Sequence, residues 1–215
     1  MTAAMFDALE QDAVTELLNV AVSRSAAALS RMVGKPVAMS VPNVRILSRA
    51  EALNAIGGNR NTPLIAVGEQ FSGPFSGRAL LVFPEARSLH LVQAIVGDQL
   101  TLEEIADLEE DAMTEVGNVI LNNCLSGIAN MLGCRIEATL PHCFQGGVEQ
   151  IFKRTIRGDD DGVILFMSID FSIRDRDIGG FIILLLDLNA MSNLRSAIAR
   201  YVDGVRRSLT DRESP

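Results

Sequence analysis

A stretch of 31 residues occurs twice in the chain, and it constrains the fold more than any other feature. The first copy runs from Asp12 to Pro42 and the second from Asp111 to Pro141, and the two align without a gap at an offset of 99 residues. Nine of the 31 aligned positions are identical, whereas roughly two would match by chance at ordinary residue frequencies. An internal repeat of this length predicts two similar structural units within the 215-residue chain.

Each copy begins with the 3.6-residue periodicity of a helix that packs on a core. The predicted apolar stripes comprise Val14, Leu17, Leu18, Ala21, Ala28 and Met32 in the first copy, and Met113, Val116, Ile120, Ile128 and Met131 in the second. Almost opposite these stripes fall Asp12, Glu16, Asn19 and Ser23, and Asp111, Glu115, Asn118 and Asn122. The pattern D-x3-E-x2-N therefore predicts a polar motif on the solvent side of each helix, with Glu and Asn as neighbours about 5–6 Å apart at Cβ.

A solvated helix face is the usual explanation of such a pattern, but two observations favour a surface function. Asn is a poor residue for the middle of a helix, so neither copy gains helix stability from it. The apolar neighbours differ between the copies, as Leu18 differs from Gly117, whereas the outward Asp, Glu and Asn do not. We interpret the motif as a binding or catalytic surface.

Composition limits the class of partner and the compartment. The formal net charge is −8, which argues against nucleic acid and anionic membranes as partners. Apolar residues make up 48% of the chain, which is ample for a globular core. The N-terminus does not resemble a secretory signal, and the longest strongly apolar run, at 181–186, is too short to span a bilayer. We therefore expect a cytoplasmic protein with reduced thiols.

No cofactor or metal bound by this chain is predicted. The candidate ligands are Cys124, Cys134, Cys143, His90 and His142, and they lack the spacing of a zinc site. We expect Cys124 to be buried, because it falls near the apolar stripe of its helix. Three consecutive aspartates at 159–161 lack the spacing of an EF-hand loop and read as a solvated turn.

Each half of the chain predicts the order helix, strand, short helix, strand, strand, helix. In the first half these elements are a helix to Val33 with Gly34 as its C-terminal cap, a strand at 36–47, a capped short helix at 48–56, strands at 64–71 and 77–83, and a helix at 84–96. A turn-rich loop is predicted at 57–62 and a polar link at 97–105. In the second half they are a helix at about 106–132, a strand at 134–140, a short helix at 147–156, a turn at 158–162, strands at 162–172 and 179–186 with a charged turn at 173–178, a helix at 190–205 and a frayed tail from 208.

Three strands with one layer of helices cannot cover themselves well. We therefore predict a single α+β domain over 1–215, in which repeat 1 (about 7–97) and repeat 2 (about 106–207) share one six-stranded sheet flanked by helices. Pro42 within its strand predicts an edge position or a strand end.

The predicted surface suits a protein substrate that brings its own reactive group. The sequence has no nucleophile elbow and no phosphate-binding glycine loop. Asn can hold a water molecule but cannot act as a strong base. That is sufficient where the bond is already activated, as in an acyl phosphate with its own Mg²⁺, because phosphoryl transfer depends mostly on positioning and charge neutralisation.

The duplicated pattern D-x3-E-x2-N-x22-P resembles that of the CheC-type phosphatases of bacterial chemotaxis, the CheC/CheX/FliY family, over nearly the whole chain. The matching residues are Asp12, Glu16, Asn19 and Pro42, and Asp111, Glu115, Asn118 and Pro141. The resemblance implies that Glu16, Asn19, Glu115 and Asn118 are the catalytic residues and that Asp12, Asp111, Pro42 and Pro141 support them. Gly117 keeps a glycine that members often carry before the motif Asn, whereas the first copy has Leu18 there and Arg24 after its motif.

The implied activity is dephosphorylation of the phosphorylated response regulator CheY. By the family mechanism an Asn positions the attacking water, a Glu contacts the regulator, and the Mg²⁺ belongs to the regulator. The deamidase CheD is implied as a possible further partner. Because both motifs are intact, the single-site relative CheX fits less well.

Two other classes of function stay open at this point. One is a flagellar-switch component related to FliY or FliM, which is expected to carry an appended C-terminal switch domain. The other is a non-catalytic adaptor for a regulator or for CheD, which would use the same surface. Since both motif asparagines are expected to be exposed, we expect each Asn→Ala substitution to change stability by no more than about 0.5 kcal/mol.

Overall fold

The structure, a computed structural model, describes residues 8–56, 62–96, 101–155, 163–173 and 176–213. In these ranges the chain forms six helices and seven strands, which confirms the predicted α+β class. In chain order they are α1 Ala8–Val33, β1 Val37–Leu47, α2 Arg49–Ile56, β2 Leu64–Ser72, β3 Gly77–Pro84, α3 Glu85–Val96, α4 Leu102–Met131, β4 Glu137–Ala138, β5 His142–Gly146, α5 Val148–Thr155, β6 Val163–Ile173, β7 Arg176–Leu186 and α6 Leu188–Glu213.

The described strands form one antiparallel sheet in the order β1-β6-β7-β3-β2-β4, and β5 also pairs with β2. The first strand of each half pairs with the second strand of the other half: β1 with β6, and β4 and β5 with β2. If β4 and β5 are counted as one strand, each strand of the first half has an equivalent strand in the second half. Exchanging the equivalent strands gives the strand order of the sheet in reverse. This topology is compatible with the two-repeat arrangement.

The sheet has seven strands rather than the predicted six, because the strand expected at 134–140 is broken. Only Glu137–Ala138 forms β4, and the chain resumes pairing at His142 as β5. The break falls at Pro141, which has no N–H to donate to a ladder. Pro42 interrupts β1 at the equivalent position, but there the register only shifts between Ser40 and Asn43. As predicted for Pro42, β1 is an edge strand.

The sheet is covered on both faces. Successive side chains of a strand point to opposite faces, so Ile65 and Val67 pack on one side while Leu64 and Ala66 pack on the other. The long helices α1 and α4, with α3 and α6, cover the first face, and the short helices α2 and α5 cover the second. Both motif helices therefore lie on the same face.

The helices α1 and α4 cross antiparallel through small side chains. Ala21 meets Gly127, where an added Cβ would lie 2.6 Å from the Ala21 Cβ. Ser25 Oγ donates to the Ile120 carbonyl at 3.2 Å and lies 3.9 Å from Cys124 Sγ. Ser25 and Cys124 are 99 residues apart, which makes them equivalent positions of the two copies. The helices thus cross where an axis relating the copies would pass.

The ends of the helices show what local sequence specifies. The predicted caps of α1 and α2 are confirmed: Gly34 has a φ of 64°, and Ser48 and Glu51 exchange backbone N–H bonds with each other's side chains. The prediction for α4 is wrong by a turn, because Thr101 and Glu104 form a second capping box that starts the helix at Leu102. The polar link predicted at 97–105 is correspondingly shorter.

Three further boundaries differ from prediction. The helix α6 continues to Glu213 instead of fraying from 208. The strands β6 and β7 extend into the turn predicted at 173–178, since Ile173 pairs with Arg176. The predicted turn at 158–162, with its three aspartates, lies outside the described residues, as does 57–61 of the predicted loop.

At Gly117 the helix α4 approaches the sheet so closely that one added methyl group should be costly. A Cβ at Gly117 would lie 2.4 Å from Val67 Cγ1 on β2, so Gly117→Ala should lower the free energy of unfolding in urea by about 1–3 kcal/mol. The matched control is Gly204→Ala in α6, where an added Cβ meets nothing within 4 Å; it should be neutral or stabilising by up to about 1 kcal/mol. Val67→Ala should lower the free energy of unfolding less in the Gly117→Ala background than in the wild type, because it makes room for the added methyl group. Strictly additive losses would contradict the contact between residues 117 and 67.

Candidate functional site

The two copies of the motif form two separate surfaces. We call Asp12, Glu16 and Asn19 with Pro42 the first motif site, and Asp111, Glu115 and Asn118 with Pro141 the second motif site. The helices cross at Ser25 and Cys124, six residues after each motif Asn, and they run antiparallel. At 1.5 Å per residue the two asparagines therefore lie about 18 Å apart along the helix axes.

The exposure of the motif residues agrees with the helical periodicity for the acids and only in part for the asparagines. The side chains of Asp12, Glu16, Asp111 and Glu115 are exposed. Asn19 and Asn118 are half-buried instead of fully outward. The stripe residues nearest the motifs are buried as predicted, but Met32 is 43% exposed because the last turn of α1 has left the core.

In the first motif site the Asn19 amide is held by the neighbouring strand. Its Oδ1 accepts the backbone N–H of Val41 at 3.2 Å, and its backbone carbonyl accepts the Ser23 hydroxyl at 2.8 Å. A backbone N–H can only donate, so this bond fixes which side of the amide is the oxygen. The Nδ2 group of Asn19 has no acceptor among the described residues and remains available to a partner.

The second motif site reaches the same state by a different contact. Asn122 Nδ2 donates to the Asn118 carbonyl at 3.0 Å and to Asn118 Oδ1 at 2.6 Å. Within the described part of the chain, Asn118 Nδ2 also has no acceptor. In both sites the amide oxygen keeps one lone pair for a second hydrogen bond. Each site therefore presents a fixed amide with a free donor and a half-used acceptor.

The residues before the two motif prolines differ sharply. Val41 is 3% exposed and Leu140, its equivalent, is 80% exposed. Val41 of β1 thus bonds to Asn19, whereas Asn118 is held by Asn122 of its own helix and Leu140 extends into solvent. Supporting roles for both prolines were expected from the resemblance; the structure shows that each interrupts a ladder beside its site.

A buried carboxyl, Glu69, lies in β2 next to the second motif site. Thr139 bonds to Gln70 and His142 pairs with Gly68, so the break at 140–141 lies opposite Glu69. Glu69 is 4% exposed, and neither of its oxygens has a hydrogen-bond partner in the described ranges. Burial raises the pKa of Glu69 to about 7. Glu69 is not among the predicted site residues, although a Glu at an inward position of an apolar strand is visible in the sequence.

Two further buried acids precede the motifs. Glu10 lies two residues before Asp12, and Glu109 lies two residues before Asp111. Glu10 pairs with Arg195 of α6 at 3.2 Å, whereas Glu109 accepts hydrogen bonds from Ser88 of α3 and Gln145 of β5. Burial raises the pKa of Glu109, and the bond from Ser88 opposes that rise. The offset of 99 already relates these two residues, but they precede the aligned stretch and were missed. They attach the motif helices to their neighbours.

The described residues offer no metal site and no activated thiol. No three of their His, Cys, Asp and Glu side chains lie close enough together to hold a metal ion. Cys124 is buried as predicted; burial raises its pKa to about 12 and that of Cys143 to about 11. Both thiols are therefore protonated at neutral pH. Among the described helices, none is both long enough and apolar enough to cross a membrane.

The Asp-Glu-Asn motif, present once on each of two long helices, carries the resemblance to the CheC/CheX/FliY class of chemotaxis proteins. Comparison with known proteins confirms this resemblance. The CheY-P phosphatase CheC of Bacillus subtilis is 17% identical over 196 residues, which cover 88% of this chain and 93% of that protein. No protein-family model matches the chain.

The solved structures that share the fold include a FliY and the middle domain of a FliM. FliY of Thermotoga maritima superposes with a TM-score of 0.73 at 16% identity, covering 91% of this chain and 98% of that one. The middle domain of FliM from Vibrio alginolyticus superposes with a TM-score of 0.60 at 16% identity, covering 85% and 98%. The architecture is therefore common to FliY and FliM, and activity has to be argued from the sites.

The two asparagines should differ in their contribution to stability. Asn19→Ala leaves the Val41 N–H without its acceptor in a partly buried position, so we expect a loss of about 1–2 kcal/mol. Asn118→Ala leaves Asn122 bonded to the backbone carbonyl, and we expect a loss below about 0.5 kcal/mol. Urea unfolding of both variants measures the difference. Equal losses of stability in the two variants would contradict the hydrogen bonds of Asn19 and Asn118. The small effect that the sequence predicts for both substitutions is therefore expected only for Asn118→Ala.

The buried Glu69 predicts a pH dependence of folding. The unfolded chain releases this proton near pH 4.3, whereas the folded chain holds it to about pH 7. Between these values the unfolded state binds fewer protons, so stability falls as pH rises, by at most about 1.4 kcal/mol per unit from this group. We expect Glu69→Gln to remove this component, so that its unfolding free energy falls less steeply than that of the wild type between pH 4.5 and 7. Parallel profiles would contradict the assignment.

Proposed function

We propose that this protein hydrolyses the aspartyl phosphate of a CheY-like response regulator, with Asn19 and Asn118 orienting the attacking water. One observation carries the proposal. In both motif sites the amide oxygen is fixed by a hydrogen bond within the chain while the amide nitrogen is free among the described residues. The likeness to the CheC phosphatase of Bacillus subtilis supports the reaction class.

The reaction needs little more than this positioned amide. Water attacks phosphorus in line and the bond from phosphorus to the aspartyl oxygen breaks. Inorganic phosphate leaves with the oxygen and both protons of the water, and the regulator regains its carboxylate. In a loose transition state the water needs to be placed more than deprotonated. The remaining lone pair of the Asn oxygen accepts an O–H of that water, and the Nδ2 group donates to it or to a phosphoryl oxygen. An amide that is already fixed loses less conformational entropy on docking.

Glu16 and Glu115 supply charge one helical turn before each Asn. Both carboxylates are exposed and have no partner in the part of the chain that the structure describes. Each is therefore available to a cation on the regulator, such as a lysine beside its phosphorylation site, and orients the complex. Asp12 and Asp111, one turn earlier and also exposed, extend this acidic edge. The Mg²⁺ that neutralises the phosphoryl group belongs to the regulator in this proposal.

The alternative is a binding protein without turnover, either an adaptor or a switch component. The FliM-like fold favours it, as does the fact that each Asn oxygen is already engaged within the chain. Docking would then use the same surface. Binding to a CheD-type deamidase remains an expectation from the resemblance and is compatible with either function.

An Asn→Asp series separates chemistry from structure. Aspartate at 19 or 118 keeps an oxygen for the Val41 N–H or for Asn122 Nδ2, but it replaces the donor with a negative charge that repels the phosphoryl group. We expect the double variant Asn19→Asp/Asn118→Asp to lose the accelerated decay by about 100-fold or more, with stability near that of the wild type. The measurement is the decay of acyl phosphate on a phosphorylated CheY-like regulator in the presence of each variant.

The matched control is Asn130→Asp, which makes the same change at an exposed position three turns further along α4. It should leave the decay rate unchanged. A wild type that binds the regulator without speeding decay would establish the adaptor instead. A double variant as fast as the wild type would show that the motif asparagines take no part in hydrolysis.

A further inference from the structure

The second motif site carries an exposed leucine that the first lacks. Leu140 is 80% exposed, and the next most exposed large apolar side chain among the described residues is Leu188 at 58%. Its equivalent, Val41, is buried in the core and its N–H is bound to Asn19. A leucine held in water forgoes the stabilisation that burial would give it.

The position of Leu140 follows from the way β5 runs beside α4. Gln145 reaches Glu109 at 3.2 Å, and the Cys143 thiol lies beside the Thr114 hydroxyl. Strand β5 and helix α4 therefore run in opposite directions, so an earlier residue of the strand lies beside a later residue of the helix. The same progression brings Leu140 to the level of Asn118, as Val41 lies at the level of Asn19. The leucine therefore lies at about the same level along α4 as the proposed reaction centre.

The sheet explains why Leu140 points outward. In the first repeat the interruption at 41–42 lies opposite Ile169, a buried apolar residue over which Val41 packs into the same core. In the second repeat the interruption at 140–141 lies opposite Glu69, whose carboxyl already lacks a partner among the described residues. A leucine folded over that carboxyl would offer it no hydrogen bond, so the leucine would gain less from burial than Val41 gains over Ile169. The outward position is thus built into the sheet.

We propose that Leu140 is the docking residue of the second motif site and inserts into an apolar recess of the phosphorylated response regulator beside its phosphoaspartate. This proposal rests on the proposed function for the identity of the partner. The first motif site has no equivalent anchor, so the second site binds the regulator more tightly.

The charge of α4 describes the surface on the N-terminal side of the second motif Asn. Exposed acids follow one another along the first half of the helix: Glu103, Glu104, Asp107, Glu110, Asp111 and Glu115. The complementary surface on the regulator is an apolar recess with a basic rim. Such a rim speeds association at low ionic strength, and salt screens it.

The test measures the affinity and the turnover of Leu140→Ala. A regulator carrying beryllofluoride in place of the phosphoryl group gives the dissociation constant without hydrolysis, and acyl-phosphate decay over a range of regulator concentrations gives kcat and KM. We expect the dissociation constant and KM to rise about tenfold, or 1.4 kcal/mol, with kcat within twofold of the wild type. The control is Leu188→Ala, which truncates an exposed leucine at the start of α6. It should leave the dissociation constant, KM and kcat unchanged.

The outcomes separate this proposal from the proposed function. If Leu140→Ala binds the beryllofluoride-loaded regulator as tightly as the wild type, the docking role is wrong, whatever the turnover. If the wild type binds but does not hydrolyse, the proposed function fails, and a tenfold weaker Leu140→Ala still establishes docking. A fall in kcat at unchanged affinity would assign Leu140 to the chemistry and overturn the docking role. Urea unfolding of Leu140→Ala should match that of the wild type, since the side chain is exposed.

Discussion

The antiparallel crossing of α1 and α4 is the contact on which the arrangement of both sites depends. Gly127 and Ala21 let the two backbones approach closely, and the Ser25 hydroxyl bonds across to Ile120. The crossing orients both helices so that their apolar sides meet the sheet and their acidic residues face water. A larger side chain at Gly127 would meet Ala21 and force the helices apart. Both sites therefore depend on this one contact, although no residue belongs to both.

Each motif Asn is restrained in a way that a helical wheel does not reveal. The periodicity predicts a side chain in water, whereas the structure gives a half-buried amide whose oxygen is already bonded, to Val41 in one copy and to Asn122 in the other. For an amide that must place a water molecule, this restraint is useful, because the orientation exists before the partner arrives. It also makes the two copies chemically similar in spite of different neighbours.

Much of the fold can be predicted from local pattern, and the asymmetry of the sites cannot. Periodicity and capping residues predict the motif helices and α2, and the capping box at Thr101 and Glu104 was present in the sequence but overlooked. In contrast, Val41 and Leu140 look alike, since each is an apolar residue before a proline. Their different fates follow from Ile169 and Glu69, which lie in other strands and become neighbours only through sheet pairing. Such long-range pairing is invisible to a reading of one segment at a time.

The exchange of first strands between the halves has a consequence for how such a chain can arise. Half of this protein on its own would expose the edge of its second strand, because the strand that covers that edge comes from the other half. Two identical halves would satisfy each other's edges about a two-fold axis, as in a domain-swapped homodimer. Gene duplication and fusion of such a dimer would yield this single chain. In a single fused chain the two copies need not be identical, so one amide can be held by a neighbouring strand and the other by its own helix.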